Sequence, residues 1–205
     1  CLFLSIWAPK DAFEDLTKKY PVQVFFHGGA YMMGTGNFPD TDGVVVAERQ
    51  KVVVVHVAYR LGVLGFAHSA EFLSDSGSSG NFGVLDQRVA LQWINNYIHL
   101  VGGDKDAVTL SGCSAGGQSA QLHLTSPDSW AYFNKIISFS GPIGLPYQTV
   151  EEANSNMSWF LKRAGCCLDE ETCVQAEVAC LRSLSVSEIQ QAASDLRHRL
   201  TPLQD

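Results

Sequence analysis

The stretch DAVTLSGCSAGGQSAQLHLTS, residues 106–126, changes its periodicity at a single serine. Before Ser114, apolar Val108 and Leu110 alternate with Thr109 and Ser111, the two-residue period of a strand. After it, SAGGQSAQLHLTS reads as a helix. Gly112 and Gly116 stand two residues to either side. A strand that turns sharply into a helix strains its corner residue and crowds the positions two away, so those must be small. G-x-S-x-G in the order strand, serine, helix therefore predicts a Ser114 hydroxyl lifted clear of a sheet. It lies at the amino end of a helix whose dipole favours negative charge. The expected role is nucleophile, with the Ala115 N–H as one donor to a tetrahedral oxyanion.

Upstream, VQVFFH (22–27) reads as a buried strand followed by Gly28-Gly29-Ala30. Gly29 and Ala30 have little side chain to obstruct their N–H groups, so this loop is the expected second half of the oxyanion site. LFLSIWAP reads as a strand that Pro9 ends, and KVVVVHVAY (51–59) as a strand covered on both faces. A short helix is expected in DTDGVVVAERQ, and LGVLGFAHSAEFLSDSGSSG is expected to be an exposed loop region. NFGVLDQRVALQWINNYIHL reads as an amphipathic helix with Leu85, Val89, Trp93 and Tyr97 as its packed stripe. KIISFSG (135–141) is a further strand, and beyond residue 150 every segment is helical in pattern. Strands alternating with helices define an α/β fold with a mostly parallel sheet and helices on both faces, over one domain, 1–205.

The chain has 205 residues, 46% hydrophobic and 17% charged, enough to bury one core. A net charge of −7 with no basic stripe argues against a nucleic-acid partner. No apolar run is long enough to span a bilayer. The six cysteines fit no common zinc spacing, so no metal and no cofactor is expected. Four of them lie within AGCCLDEETCVQAEVAC, which suggests a local disulfide loop. With the sequon at Asn156, a glycosylation candidate, this points to a secreted or ER-luminal protein.

CLFLSIWAPK, HGGAYMMGTGN, YRLGVLGF, GNFGVLDQRVALQWI, GGDKDAVTLSGCSAGG, ISFSGP and CLRSLS together resemble the carboxylesterase/cholinesterase (type-B) family of α/β-hydrolases. The resemblance runs through nearly the whole chain. It implies small-molecule ester substrates, an acyl-serine intermediate and a Ser–Glu–His triad. It maps the nucleophile onto Ser114 and the oxyanion donors onto Gly29, Ala30 and Ala115. It also implies an ion pair between Arg60 and Asp86 behind the site, and an acyl-pocket aromatic at Tyr147. Cys180 resembles the second cysteine of a family disulfide whose partner is Cys166 or Cys167. Cys173 is extra, and the family partner of Cys1 lies upstream. Cys113 stands where the family usually has glutamate, Ala30 where glycine is commoner, Val101 for phenylalanine and Ser5 for asparagine. Cys113 itself is expected to be a small buried thiol.

Only His123 and His198 follow Ser114. His123 is nine residues along the same helix, about 13 Å away, and is expected on its surface or in packing. The resemblance places the catalytic glutamate and histidine beyond Asp205, so the chain is expected to be a portion of such a domain that ends before its last strands. Two rivals differ from this reading. One is a complete compact hydrolase using His198 with Glu151 or Glu188. The other is a non-catalytic cholinesterase-like binding or adhesion domain.

Overall fold

The computed structural model describes residues 2–15, 17–37, 42–144, 146–167, 178–194 and 200–204. The chain divides into two compact units: Cys1–Tyr59 with Val84–Leu145, and Arg60–Gly83 with Pro146–Asp205.

The first unit is built on five strands: β1 (Leu4–Trp7), β2 (Tyr20–Phe26), β3 (Val53–Val57), β4 (Gly103–Cys113) and β5 (Lys135–Phe139). Their order is β1-β3-β2-β4-β5. Every pairing is parallel except β1 with β3. All five residues of β3 are buried, as expected where crossover helices cover a parallel strand. With the helices α1 (Asp11–Glu14), α2 (Val44–Gln50), α5 (Phe82–Tyr97) and α6 (Ala115–Thr125) the unit is the α/β arrangement the sequence implies. The register pairs Phe26 with Val57 and with Gly112, and Cys113 with Phe139. The carboxyl ends of β2, β3, β4 and β5 therefore lie side by side. In open α/β sheets that edge is where ligands bind.

The expected stripe on α5 is not its packed face. Val89 and Tyr97 are 60% and 48% exposed, whereas Val84, Gln87, Leu91, Ile94 and Ile98 are buried. At about 100° per residue the latter set spans one narrow arc and the former lies opposite. Apolar residues occur on two sides of this helix, so hydrophobicity alone does not choose its inner side. Val89 and Trp93 instead line a cavity of about 420 Å³ with Leu2, Phe3, Leu4 and Ile6.

In the second unit, residues expected to form a loop region contain two short helices, α3 (Gly62–Phe66) and α4 (Glu71–Ser76). The others are α7 (Val150–Ala164), α8 (Val178–Ser183) and α9 (Val186–Ala193). Capping boxes start α7 at Thr149 with Glu152 and α9 at Ser185 with Glu188. Gly165, at φ 69°, closes α7. Ala153, Met157, Phe160 and Leu161 form the buried face of α7. They extend into a core with Ala67, Cys166 and Ala192. Of the two partners open to Cys180, the disulfide takes Cys166, 14 residues away. Cys167 is also disulfide-bonded. Cys1, Cys173 and His198 lie outside the described residues. Alkylation of the native protein with iodoacetamide is expected to mark Cys113, a free and exposed thiol, and to reach Cys166 and Cys180 only after reduction. Peptide mass mapping reads the result; labelling of Cys166 without reductant would contradict the pairing.

Candidate functional site

Ser114 sits between β4 and α6 at φ 55°, ψ −121°, a backbone conformation that L residues seldom adopt. The surroundings hold it there. Its N–H donates to Phe139 O at 2.9 Å, and its carbonyl accepts the Gln118 N–H at 2.9 Å. A Cβ on Gly112 would lie 2.2 Å from Gly116 O, and one on Gly116 would lie 1.9 Å from Phe26 O. Both glycines are thus required by close approach of backbone to backbone, the crowding that G-x-S-x-G anticipates. Ser114 is exposed, while Ala115 behind it is buried. As the first residue of α6, Ala115 carries one of the N–H groups a helix leaves unpaired at its start.

The second glycine loop packs on this corner. A Cβ on Gly28 would meet Cys113 O at 2.8 Å and Ser114 Cβ at 3.3 Å. Gly29 has φ 119° and would clash with Met33 O at 2.0 Å if it carried a side chain. Ala30 and Tyr31 follow at φ 53° and 60°. Gly29 O accepts the N–H groups of Met32 and Met33, so the chain folds back immediately. A Cβ on Gly34 would in turn meet His27 Nδ1 at 2.4 Å. Gly29, Ala30, Ser114 and Ala115 accordingly belong to two tight turns in mutual contact through Gly28.

His27 begins the loop and is 4% exposed. Its Nδ1 lies 2.8 Å from Gly28 O, and its ring stacks on Tyr59 at 4.5 Å. Burial lowers its pKa, against the opposing effect of the Gly28 hydrogen bond. The Tyr59 hydroxyl donates to His27 O at 2.7 Å, and burial raises its pKa, so it stays a donor. Cys113 is exposed, not buried as expected, because β4 ends there and its side of the strand opens to solvent.

His123 is not a surface residue. It is wholly buried, with Nδ1 2.9 Å from Ser129 Oγ and Nε2 3.1 Å from Gln87 Oε1. Gln87 Nε2 donates to Ser119 Oγ at 3.1 Å. A polar residue at the centre of the buried arc of α5 was the sequence signal for this network. Burial first, then the Arg88 charge, lowers the His123 pKa to about 4. The unfolded chain therefore binds the extra proton between about pH 4 and 6.5, and this contribution is full above that window and lost as pH falls through it. We expect stability to drop across this window with a slope of up to about 1.4 kcal/mol per pH unit from His123. His27 and His56, lowered by burial, add to it with the same sign. Denaturant titrations from pH 4 to 7 check this, and His123→Gln should flatten the slope.

Asp86 is 7% exposed in the first unit. Arg60 belongs to the second, where its guanidinium lies 5.2 Å over the Phe82 ring. Tyr147 lines a cavity of about 470 Å³ with Gln148, Glu151, Asn156 and Thr201. Asn156 is 5% exposed and its Nδ2 donates to Gln148 Oε1 at 3.1 Å, so that nitrogen is engaged within the second unit. Glu188 is committed to its capping box, where hydrogen bonds from Ser185 lower its pKa. That removes one acid from the compact-hydrolase rival. Among the described residues no group of His, Cys, Asp or Glu could hold a metal ion, and no helix is long and apolar enough to cross a membrane.

The sequence profile of the carboxylesterase family matches residues 1–203. A mouse cholinesterase is 35% identical over 191 residues, 92% of this chain and 30% of that protein. A para-nitrobenzyl esterase of Bacillus subtilis is 36% identical over 197 residues, 96% of this chain and 37% of its own length. Among solved structures, a carboxylesterase of Geobacillus stearothermophilus superposes with a TM-score of 0.86 at 32% identity, covering 98% of this chain and 42% of that one. The chain spans about a third of the length of the curated relatives it matches.

Proposed function

The chain belongs to the carboxylesterase family, and on that premise we propose that the whole protein hydrolyses carboxylic esters of small molecules through an acyl-serine intermediate at Ser114. The observation that carries this reading is the exposed serine at positive φ with the Gly28 turn packed against it. Ser114 Oγ attacks the ester carbonyl. The N–H groups of Gly29, Ala30 and Ala115 stabilise the oxyanion; each such donor is typically worth on the order of 10²–10³ in turnover. The alcohol leaves, and water then releases the acid. The general base and its orienting acid come from parts of the whole protein outside residues 1–205. The commitment of His123 to Ser129 and Gln87, and of His27 to Gly28, supports that assignment. Residues 1–205 alone are then expected to show little or no turnover.

Cys113 places a thiol beside the nucleophile, where the family resemblance expects a carboxylate, so cationic choline-type alcohols lose that carboxylate's attraction at this position. The Cys166–Cys180 disulfide supports secretion or an ER-luminal setting, since such bonds persist in oxidising compartments. The test is labelling of the whole protein with an organophosphonate, followed by peptide mapping. Ser114 should carry the adduct. An unlabelled Ser114 would refute hydrolysis and favour a binding or adhesion role.

A further inference from the structure

We propose that two buried tyrosines, Tyr59 and Tyr31, are positioning residues that fix the 28–30 turn at its entry and exit and so aim the Gly29 and Ala30 N–H groups at the oxyanion; this rests on the ester-hydrolase reading above.

At the entry, Tyr59 is 5% exposed, its ring stacked within 15° of the His27 imidazole plane. Its hydroxyl donates to the His27 carbonyl at 2.7 Å. That same carbonyl oxygen would lie 2.8 Å from a Cβ on Gly116, so it packs directly on the helix that begins behind Ser114. One hydroxyl from the end of β3 thus pins the peptide that joins the glycine turn to the serine corner. A carbonyl buried at such a junction needs a donor, and the loss of one leaves a desolvated acceptor.

At the exit, Ala30 and Tyr31 are consecutive left-handed residues without glycine's freedom. Such conformations persist only where neighbours over-determine them. Tyr31 is 1% exposed, and Ser119 Oγ donates to its hydroxyl at 3.5 Å. This is the last link of a one-way chain. Gln87 fixes its direction, because an amide nitrogen only donates and an amide oxygen only accepts. The Gln87 amide nitrogen donates to Ser119, and its oxygen accepts from His123 Nε2. His123 Nδ1 is then the acceptor for the Ser129 hydroxyl. Gln87, Ser119, His123 and Ser129 are all fully buried, and bonds in such a chain polarise one another. The slack link is the one that touches the turn.

Core packing alone gives a different expectation, because phenylalanine keeps both rings and their contacts. In the whole protein, Tyr59→Phe and Tyr31→Phe should each slow phosphonylation of Ser114 and lower kcat on a nitrophenyl ester about tenfold. KM should stay within twofold, the signature of an interaction made in the transition state. Ser119→Ala, which removes the donor to Tyr31 and leaves both tyrosines in place, should lower kcat in the same way, and it carries the Tyr31 half of the test if that variant fails to fold. Variants that keep wild-type rates, or that raise KM with kcat unchanged, overturn the assignment while leaving the esterase reading intact. A wild-type protein whose Ser114 does not react overturns both.

Discussion

Gly116→Ala is expected to destabilise the first unit by about 4 kcal/mol or more, the range reserved for a few severe mechanisms. An alanine Cβ there would sit 1.9 Å from Phe26 O, 2.6 Å from Phe26 C and 2.8 Å from His27 O. All three atoms are backbone, and two belong to the central strand β2, so no side chain can swing aside. Relief requires α6 to move off the sheet, which in turn displaces Ser114 and breaks its bond to Phe139 O. Gly77→Ala is the control. Gly77 has positive φ, which Gly116 does not, and nothing lies within 4 Å of an added Cβ. Only the conformational penalty, about 1 kcal/mol, applies there. Urea denaturation of both variants separates crowding from strain, and equal losses would show that the turn is looser than the geometry implies.

Ser114→Ala is expected to leave the fold intact and to lower ester turnover by the whole protein by roughly 10⁴-fold or more, since the covalent step disappears. The hydroxyl is exposed, and the two bonds that hold residue 114 use its main chain, which alanine keeps. Alanine is also tolerated at positive φ elsewhere in this chain, at position 30. The thermal midpoint should therefore shift little. A variant that retains more than a hundredth of the wild-type kcat would move the chemistry to another residue. Residual turnover from the oxyanion donors alone is far smaller than that.

Much of this site was legible from spacing. The alternation up to Leu110 and the paired glycines fixed where β4 turns into α6, and the same glycines prove to be sites of backbone contact. The Gly28-Gly29-Ala30 loop was legible because its sequence offers so little side chain. Other features turn on three-dimensional choices that the chain pattern leaves open. On α5 two stripes of apolar residues compete, and the buried one also bears Gln87. His123 stood between a surface and a packing role because its partners, Gln87 and Ser129, come from other elements. Cys113 followed the burial typical of its residue type until the end of the strand left it open. The short helices α3 and α4 hide among serines and glycines, with no side-chain cap to mark where either begins.

The second unit joins residues 60–83 to residues 146–205, whereas the last strand of the first is complete at Phe139. During synthesis these five strands can pair while the ribosome is still adding α7 to α9. At about 5–20 residues per second, residues 60–83 wait several seconds for their partners to emerge. For that interval Val63, Ala67 and Phe72 lack the α7 side chains they pack against, which makes this segment the place where a chaperone has most to shield.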